Sequence, residues 1–313
     1  MSWQELSLAS EALRGNPLGD LNERPLFVWS PGGDGPYPTV YVLHAHMRAA
    51  RWWFNVEPFQ RSYPETIDEL APEAVIVLVD GWTSVGGSQW IDSDGVGRYG
   101  TYLCEEVVPF VDAQFPTNGL RALQGKSSGG YGAIVNALRR PDLFHAVASH
   151  AAGPALFEVT LPSDGAAAAR ALRGRSLAEW FATDFAGLES SGDAILVELW
   201  SAALAFSGGA VPFDAETAEL MPDVWQQWLA HDPVRVVASS AAAKSLRGVW
   251  LDAGDRDTYS LDLAAIALQR AFVAAGLPRE RMQFELFPGG HRGLSWRYPL
   301  SLDWLLGRLS MTL

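Results

Sequence analysis

Short apolar, β-branched runs recur along the chain, separated by stretches of helical periodicity. LFVWS (26–30), TVYVLHAH (39–46), AVIVLVD (74–80), LRALQ (120–124), AVASHAA (146–152), GVWLDA (248–253) and FELF (284–287) read as strands. QELSLAS (4–10) alternates polar and apolar residues and reads as an edge strand. Runs that are apolar on both faces suit a parallel sheet covered by helices on each side. Between them, TYLCEEVVPFVDAQF puts Leu103, Val107, Phe110, Val111 and Phe115 at helical spacing. AAIALQRAFVAAG (264–276) ends at Gly276 with Pro278 beyond it, a helix stop. The alternation predicts an α/β fold with a mostly parallel sheet.

One region departs from this alternation. From Phe157 to Ser245 the pattern is helical throughout and rich in aromatics: Trp180, Phe181, Phe185, Trp200, Phe206, Trp225 and Trp228. It predicts one domain with a core of 1–156 and 246–313 and a helical insertion over 157–245. The insertion's aromatics are expected to form its own core, with one face covering a substrate pocket as a lid.

The chain has 313 residues, 48% of them hydrophobic and 19% charged, ample for a buried core and unlike a disordered composition. A net charge of −13 argues against a nucleic-acid or anionic-membrane partner. The N-terminal MSWQELSLASEALRGNP lacks the pattern of a signal peptide, and the longest apolar runs fall far short of a membrane span. With Cys104 as the single cysteine, no intrachain disulfide can form. The expectation is a cytoplasmic protein acting on a small molecule, with room for a homo-oligomer. Cys104 falls mid-helix on an apolar face and reads as core.

The candidate chemistry centres on LQGKSSGGYGAIV (123–135). Gly125, Lys126, Ser127, Ser128 and Gly129 spell G-x-S-x-G between a predicted strand and the helix GAIVNALRR. That context is a nucleophile elbow, where a sharp turn presents a serine at the C-terminal end of a sheet. A phosphate-binding loop would need glycine where Leu120 stands. A serine needs a base, and the base an orienting acid, here in the chain order Ser, acid, His. WLDAGDRDTYS follows the penultimate strand and FPGGHRGLSW the last. His291 is therefore the expected base. Asp252, Asp255 and Asp257 are candidate acids. The loop must extend before it turns toward the histidine, which favours Asp257, with Asp255 next. The oxyanion hole needs two backbone donors: Ser128 N–H, and His46 or Met47 after TVYVLHAH. Trp82, Trp90 and His150 are expected to line the substrate pocket. His145 reads as a surface residue and His231 as a helix-end residue. His44 and His46 on one strand face could bind zinc, but no third ligand clusters with them. No metal or cofactor is expected.

Several further pieces carry a resemblance: NPLGDLNERPLFVWSP, YPTVYVLHAH, GSQWIDSDGVGRYGTYLCEEVVPFVDAQFP, GKSSGGYGAIVNALRRPDLFHAVASHAAG, LDAGDRDTY and GGH. Together they resemble the esterase D and antigen 85 group of α/β hydrolases, which includes feruloyl esterases and S-formylglutathione hydrolases. The resemblance covers most of the chain outside the insertion. It implies the α/β-hydrolase fold, a Ser127–His291–Asp257 triad and His46 N–H as the second oxyanion donor. His44-Ala45 stands where such proteins usually carry His-Gly or Asp-Gly, and Lys126 and Ser128 stand where His and Met are common. The function expected is a serine carboxylester hydrolase with a preference for apolar or aromatic esters. Acyl transfer or thioester hydrolysis by the same triad is the alternative, and a non-catalytic binding protein on this fold a third reading.

Overall fold

The computed structural model describes residues 2–56, 58–185 and 191–311, with Ser163 and residues 191–193 described by backbone alone. Residues 186–190 of the expected insertion lie outside the described residues. Each of the eight predicted strands is present. They are β1 (Ser2–Ala9), β2 (Glu23–Ser30), β3 (Tyr37–Leu43), β4 (Val75–Val79), β5 (Thr117–Lys126), β6 (Ala146–His150), β7 (Gly248–Gly254) and β8 (Met282–Phe287). They form one sheet in the order β1-β2-β4-β3-β5-β6-β7-β8. β1 and β2 run antiparallel to their neighbours, and every pairing from β4 to β8 is parallel.

The strand alternation sends side chains to two buried layers. Val40, Val42, Ile76 and Leu78 face one side, packed with Leu302 and Leu305 of the C-terminal helix. Tyr41, Leu43, Val75 and Val77 face the other, packed with Ala133 and Ile134 behind the elbow. This is why the central strands read as continuously apolar. The helices are α1 (Tyr63–Leu70), α2 (Val108–Gln114), α3 (Ser128–Arg139), α4 (Phe157–Leu172), α5 (Leu177–Thr183), α6 (Ser191–Ser207), α7 (Pro222–Leu229), α8 (Pro233–Ser239), α9 (Leu261–Ala274) and α10 (Arg297–Ser310). Among the described residues, none is long and apolar enough to cross a membrane.

The helix expected over 101–115 is not uniformly α. Tyr102–Val107 is π-helical before α2 begins. Pro109 has no N–H to give to the preceding turn, so the hydrogen-bond ladder must change there. Cys104 is buried in this segment, and burial pushes its thiol up to about 12.

Among the described residues, five α-helices, α4 to α8, lie between β6 and β7. Much of their aromatic content packs internally. Phe206 meets Phe157 and Trp228 at ring separations of 5.7 and 5.4 Å, and Phe181 stacks on Trp200 at 5.7 Å. His231, just past α7, stacks on Phe206 at 4.9 Å and is pushed down to about 4 by burial. His145, expected at the surface, is half-buried because its Nδ1 accepts the Arg121 N–H at 3.2 Å.

Candidate active site

β5 ends at Lys126 and α3 starts at Ser128, leaving Ser127 alone to make the reversal. It does so at φ 54° and ψ −122°, a backbone conformation that costs on the order of 1–3 kcal/mol and persists only where its surroundings enforce it. The two motif glycines explain how the turn closes. A Cβ on Gly125 would sit 2.4 Å from the Gly129 backbone, and one on Gly129 would sit 2.1 Å from the Leu43 carbonyl. The turn is held by Ser127 N–H to His150 O at 2.9 Å and Gly153 N–H to Ser127 O at 3.1 Å. The Ser127 hydroxyl makes no capping bond to α3. Behind it, the first N–H groups of the helix, Ser128's among them, have no intrahelical acceptor and favour negative charge at this point.

The parallel register carries the site across the sheet. Lys126 pairs with His150, His150 with Asp252, and Asp252 with Glu285, so one transverse row marks the C-terminal rim. Ser127 lies one residue past that row, and the loops holding Asp257 and His291 leave the same rim. His291 Nδ1 meets Asp257 Oδ2 at 2.8 Å. The other carboxylate oxygen, Oδ1, accepts the Tyr259 N–H at 2.8 Å, and the carboxylate is fully buried. Tyr259 packs edge-on against the His291 ring at 4.8 Å. Among the described residues no hydrogen bond joins Ser127 Oγ to His291 Nε2; such contacts commonly tighten when substrate binds.

The three candidate acids separate by environment. Asp255 turns away to accept the Gly289 N–H at 3.1 Å. Asp252 sits within β7 and points into the core. Its Oδ1 meets His150 Nδ1 at 2.7 Å, and its Oδ2 accepts from Trp250 Nε1 at 2.7 Å and Arg297 Nε at 2.8 Å. Burial opposes ionisation of Asp252, but the charge and hydrogen bond of His150, with Trp250 and Arg297, hold its carboxyl below the usual range. His150 Nε2 lies 2.9 Å from Ser301 Oγ. Ser301, His150 and Asp252 thus form a second serine–histidine–aspartate chain, with Ser301 and His150 fully buried and Asp252 1% exposed. It has no access for a substrate. Gln124 links it to β5, donating to Ser301 Oγ at 2.7 Å and accepting from Tyr63 Oη at 3.1 Å.

Two residues expected on the pocket wall are therefore elsewhere. His150 is locked in that network. Trp90 is 1% exposed, wedged where a Cβ on Gly132 would sit 2.5 Å from it, and it donates to the His44 carbonyl at 3.2 Å. Both are apolar-faced groups held beneath the rim. Trp82 is 42% exposed.

The loop after β3 also differs from expectation. The strand ends at Leu43, so His44 and His46 share no strand face. His44 Nδ1 lies 3.0 Å from the Ala45 carbonyl and its Nε2 accepts the Gly81 N–H at 2.9 Å, so both ring nitrogens are occupied. Burial, against the pull of Asp80, holds His44 below its usual pKa. Among the described residues, no three histidine, cysteine or acidic side chains are grouped to hold a metal. Met47 N–H is given to the Gly86 carbonyl at 2.7 Å. The His46 N–H has no acceptor among the described residues, which separates the two candidates for the oxyanion donor. The His46 ring faces Ser201 of α6 at 2.9 Å, and burial pushes it down to about 4, with the Val85 backbone opposing the shift. Lys126, beside Ser127, is pushed down to about 8 by burial, with Asp257 opposing the shift and Arg48 and Arg292 adding to it.

A partly buried, strained serine between strand and helix, with a histidine–carboxylate pair on the same rim, is an arrangement that serine hydrolases use. A family model described as "Putative esterase" matches residues 22–303. The chain belongs to this esterase family. Membership carries carboxylesterase-type ester hydrolysis by a serine hydrolase. Several solved structures share its fold at low identity. A ferulic acid esterase matches at 20% identity and TM-score 0.63, with 98% of each chain covered. The S-formylglutathione hydrolase of Agrobacterium tumefaciens matches at 16% and 0.60, covering 98% of this chain and 95% of the other. MPT51 of Mycobacterium tuberculosis matches at 18% and 0.58, with 99% of each covered. The sheet order and these likenesses make the fold that of the α/β hydrolases.

Proposed function

We propose that this esterase hydrolyses small carboxylic esters through Ser127, His291 and Asp257. The observation that carries the reading is the 2.8 Å contact of His291 Nδ1 with a buried Asp257 carboxylate, on the rim where Ser127 is strained outward. Asp257 holds His291 with its proton on Nδ1, leaving Nε2 as the base. His291 takes the Ser127 proton as Oγ adds to the ester carbonyl. The N–H groups of Ser128 and His46 hold the resulting oxyanion, and losing one such donor costs on the order of 3 kcal/mol in barrier. His291 then gives its proton to the departing alcohol oxygen and the C–O bond breaks. Water, deprotonated by His291, releases the acid and restores Ser127.

The helices between β6 and β7 act as a lid over this site, a reading supported by the contacts of α6 with His46 and Tyr259. The half-exposed Trp82 and Tyr259 favour apolar or aromatic esters. Purified protein is to be assayed against nitrophenyl, hydroxycinnamoyl, lactone and thioester substrates, with Ser127→Ala as the blank. The expected result is loss of nearly all turnover in the variant with its fold intact. Full turnover without Ser127 sinks the mechanism, and equal rates for acetyl and bulky aroyl esters sink the preference.

A further inference from the structure

α6 contains a long apolar stretch, AILVELWSAALAF (194–206), interrupted by Glu198 and Ser201. Three residues apart, these two share a helix face. Ser201 is fully buried. A buried polar group without a partner costs about 1–3 kcal/mol, so what each one pairs with is informative. Neither pairs within its helix alone. Ser201 Oγ meets His46 Nε2 at 2.9 Å, on the loop after β3. Glu198 Oε1 accepts from Tyr259 Oη at 3.1 Å, on the loop after β7.

We propose that α6 positions the hydrolytic site: Ser201 fixes the backbone of His46 through its imidazole, and Glu198 holds Tyr259 against His291. The proposal rests on the triad reading above and adds to it two residues that touch no reacting atom.

The His46 ring has little freedom. A Cβ on Gly86 would lie 2.6 Å from its Nε2, and one on Gly87 would lie 2.9 Å from its Cδ2, so the ring rests directly on that backbone. Ser201 Oγ also lies 3.2 Å from the Glu198 carbonyl of its own helix, and its 2.9 Å bond to Nε2 holds the ring whichever of the two groups carries the shared proton. The ring is thus clamped between Gly86–Gly87 on one side and α6 on the other. The backbone N–H of the same residue is the proposed oxyanion donor, and a displacement of a few tenths of an ångström there is felt in the transition state. On the opposite side of the site, Tyr259 uses its N–H to hold Asp257 and its ring edge to confine His291, while its hydroxyl is tied to Glu198. One helix face therefore braces the oxyanion loop and the acid loop together.

The test uses the whole chain. Ser201→Ala is expected to lower kcat about tenfold with KM within about twofold, because the donor is misplaced rather than removed. Inhibition by a trifluoromethyl ketone, whose hemiketal oxygen occupies the oxyanion position, is expected to weaken by the same factor. Ser201→Thr restores both. His46→Phe removes the bond from the other side while keeping a ring on Gly86–Gly87, and the double variant is expected to be no worse than either single one. Glu198→Ala is expected to lower kcat, and Glu198→Gln, which keeps an acceptor oxygen, to retain it. A fall in thermal stability with kcat and ketone affinity unchanged, or strictly additive losses in the double variant, overturns the proposal. If Ser201→Ala fails to fold, the comparison of His46→Phe with wild type decides alone. Turnover surviving Ser127→Ala overturns the triad itself; Ser127-dependent turnover indifferent to Ser201 and His46 overturns only the brace.

Discussion

Asp252 and Asp257 stand five residues apart, each 2.7–2.8 Å from the Nδ1 of a histidine, and they are predicted to fail in opposite ways. In Asp257→Asn the amide oxygen can keep the Tyr259 N–H, but the NH2 group then faces His291 Nδ1. The imidazole must move its proton to Nε2 or turn away, and either leaves Ser127 without a base. The expected loss in kcat is about 10⁴-fold, with stability changed by about 1 kcal/mol or less. Asp252→Asn meets a different environment. Its carboxylate accepts from His150, Trp250 and Arg297, and the Arg297 side chain is 2% exposed. An amide supplies one acceptor oxygen for these donors and leaves the buried guanidinium with the partly exposed Glu285, 2.5 Å from its Nη2, as its remaining counter-charge. Breaking such a pair costs about 3–5 kcal/mol. For a chain of 313 residues that corresponds to a drop of roughly 5–8 °C in Tm. The folded remainder should hydrolyse ester at close to the wild-type rate. Nitrophenyl ester turnover and thermal melts on both variants check this. Turnover lost in Asp252→Asn while its fold persists, with Asp257→Asn still at a tenth or more of the wild-type rate, would refute the reasoning.

His46 and His231 are each pushed down to about 4 from 6.5. The unfolded chain therefore binds their protons more readily than the folded one, so stability is full above about pH 6.5 and falls as pH drops toward 4. Each contributes on the order of 3 kcal/mol across that window. Denaturant melts at pH 7 and pH 5 should show the decline, and His231→Gln should reduce it. Gly129→Ala would drive a methyl group to 2.1 Å from the Leu43 carbonyl, so a folded product should resist fluorophosphonate labelling of Ser127. Labelling at the wild-type rate would contradict the tight-turn account. Cys104, buried with its thiol pushed up to about 12, should escape iodoacetamide at pH 8 in the native protein and react once unfolded, as mass spectrometry can read.

The strands were legible because a sheet buried on both faces leaves uninterrupted β-branched runs, and the elbow because two glycines are sterically required there. The acid was not legible from spacing alone: three aspartates fall within LDAGDRD, and only the backbone path shows Asp252 turned inward and Asp255 turned to Gly289. A signal against Asp252 was present, since Trp250 and Asp252 share a strand face and Trp250 belongs to the core. The partnership of His150 with Ser301 spans 151 residues, and no local pattern anticipates it. The polar pair in α6 was visible as an interruption in an apolar helix. Which loops it would meet depends on how α4 to α8 fold back, and that is decided by tertiary packing of the aromatics.

Ser301, His150 and Asp252 reproduce, bond for bond, the contacts by which hydrolases are commonly recognised, yet they support a wall. A search that scores interatomic separations would find this buried set first, since among the described residues Ser127 makes no such bond to His291. What divides the two sets is cover: Ser301 is sealed in the core while Ser127 is only partly buried at the rim, so a hydrogen-bonded chain of these three residue types is by itself no sign of reactivity.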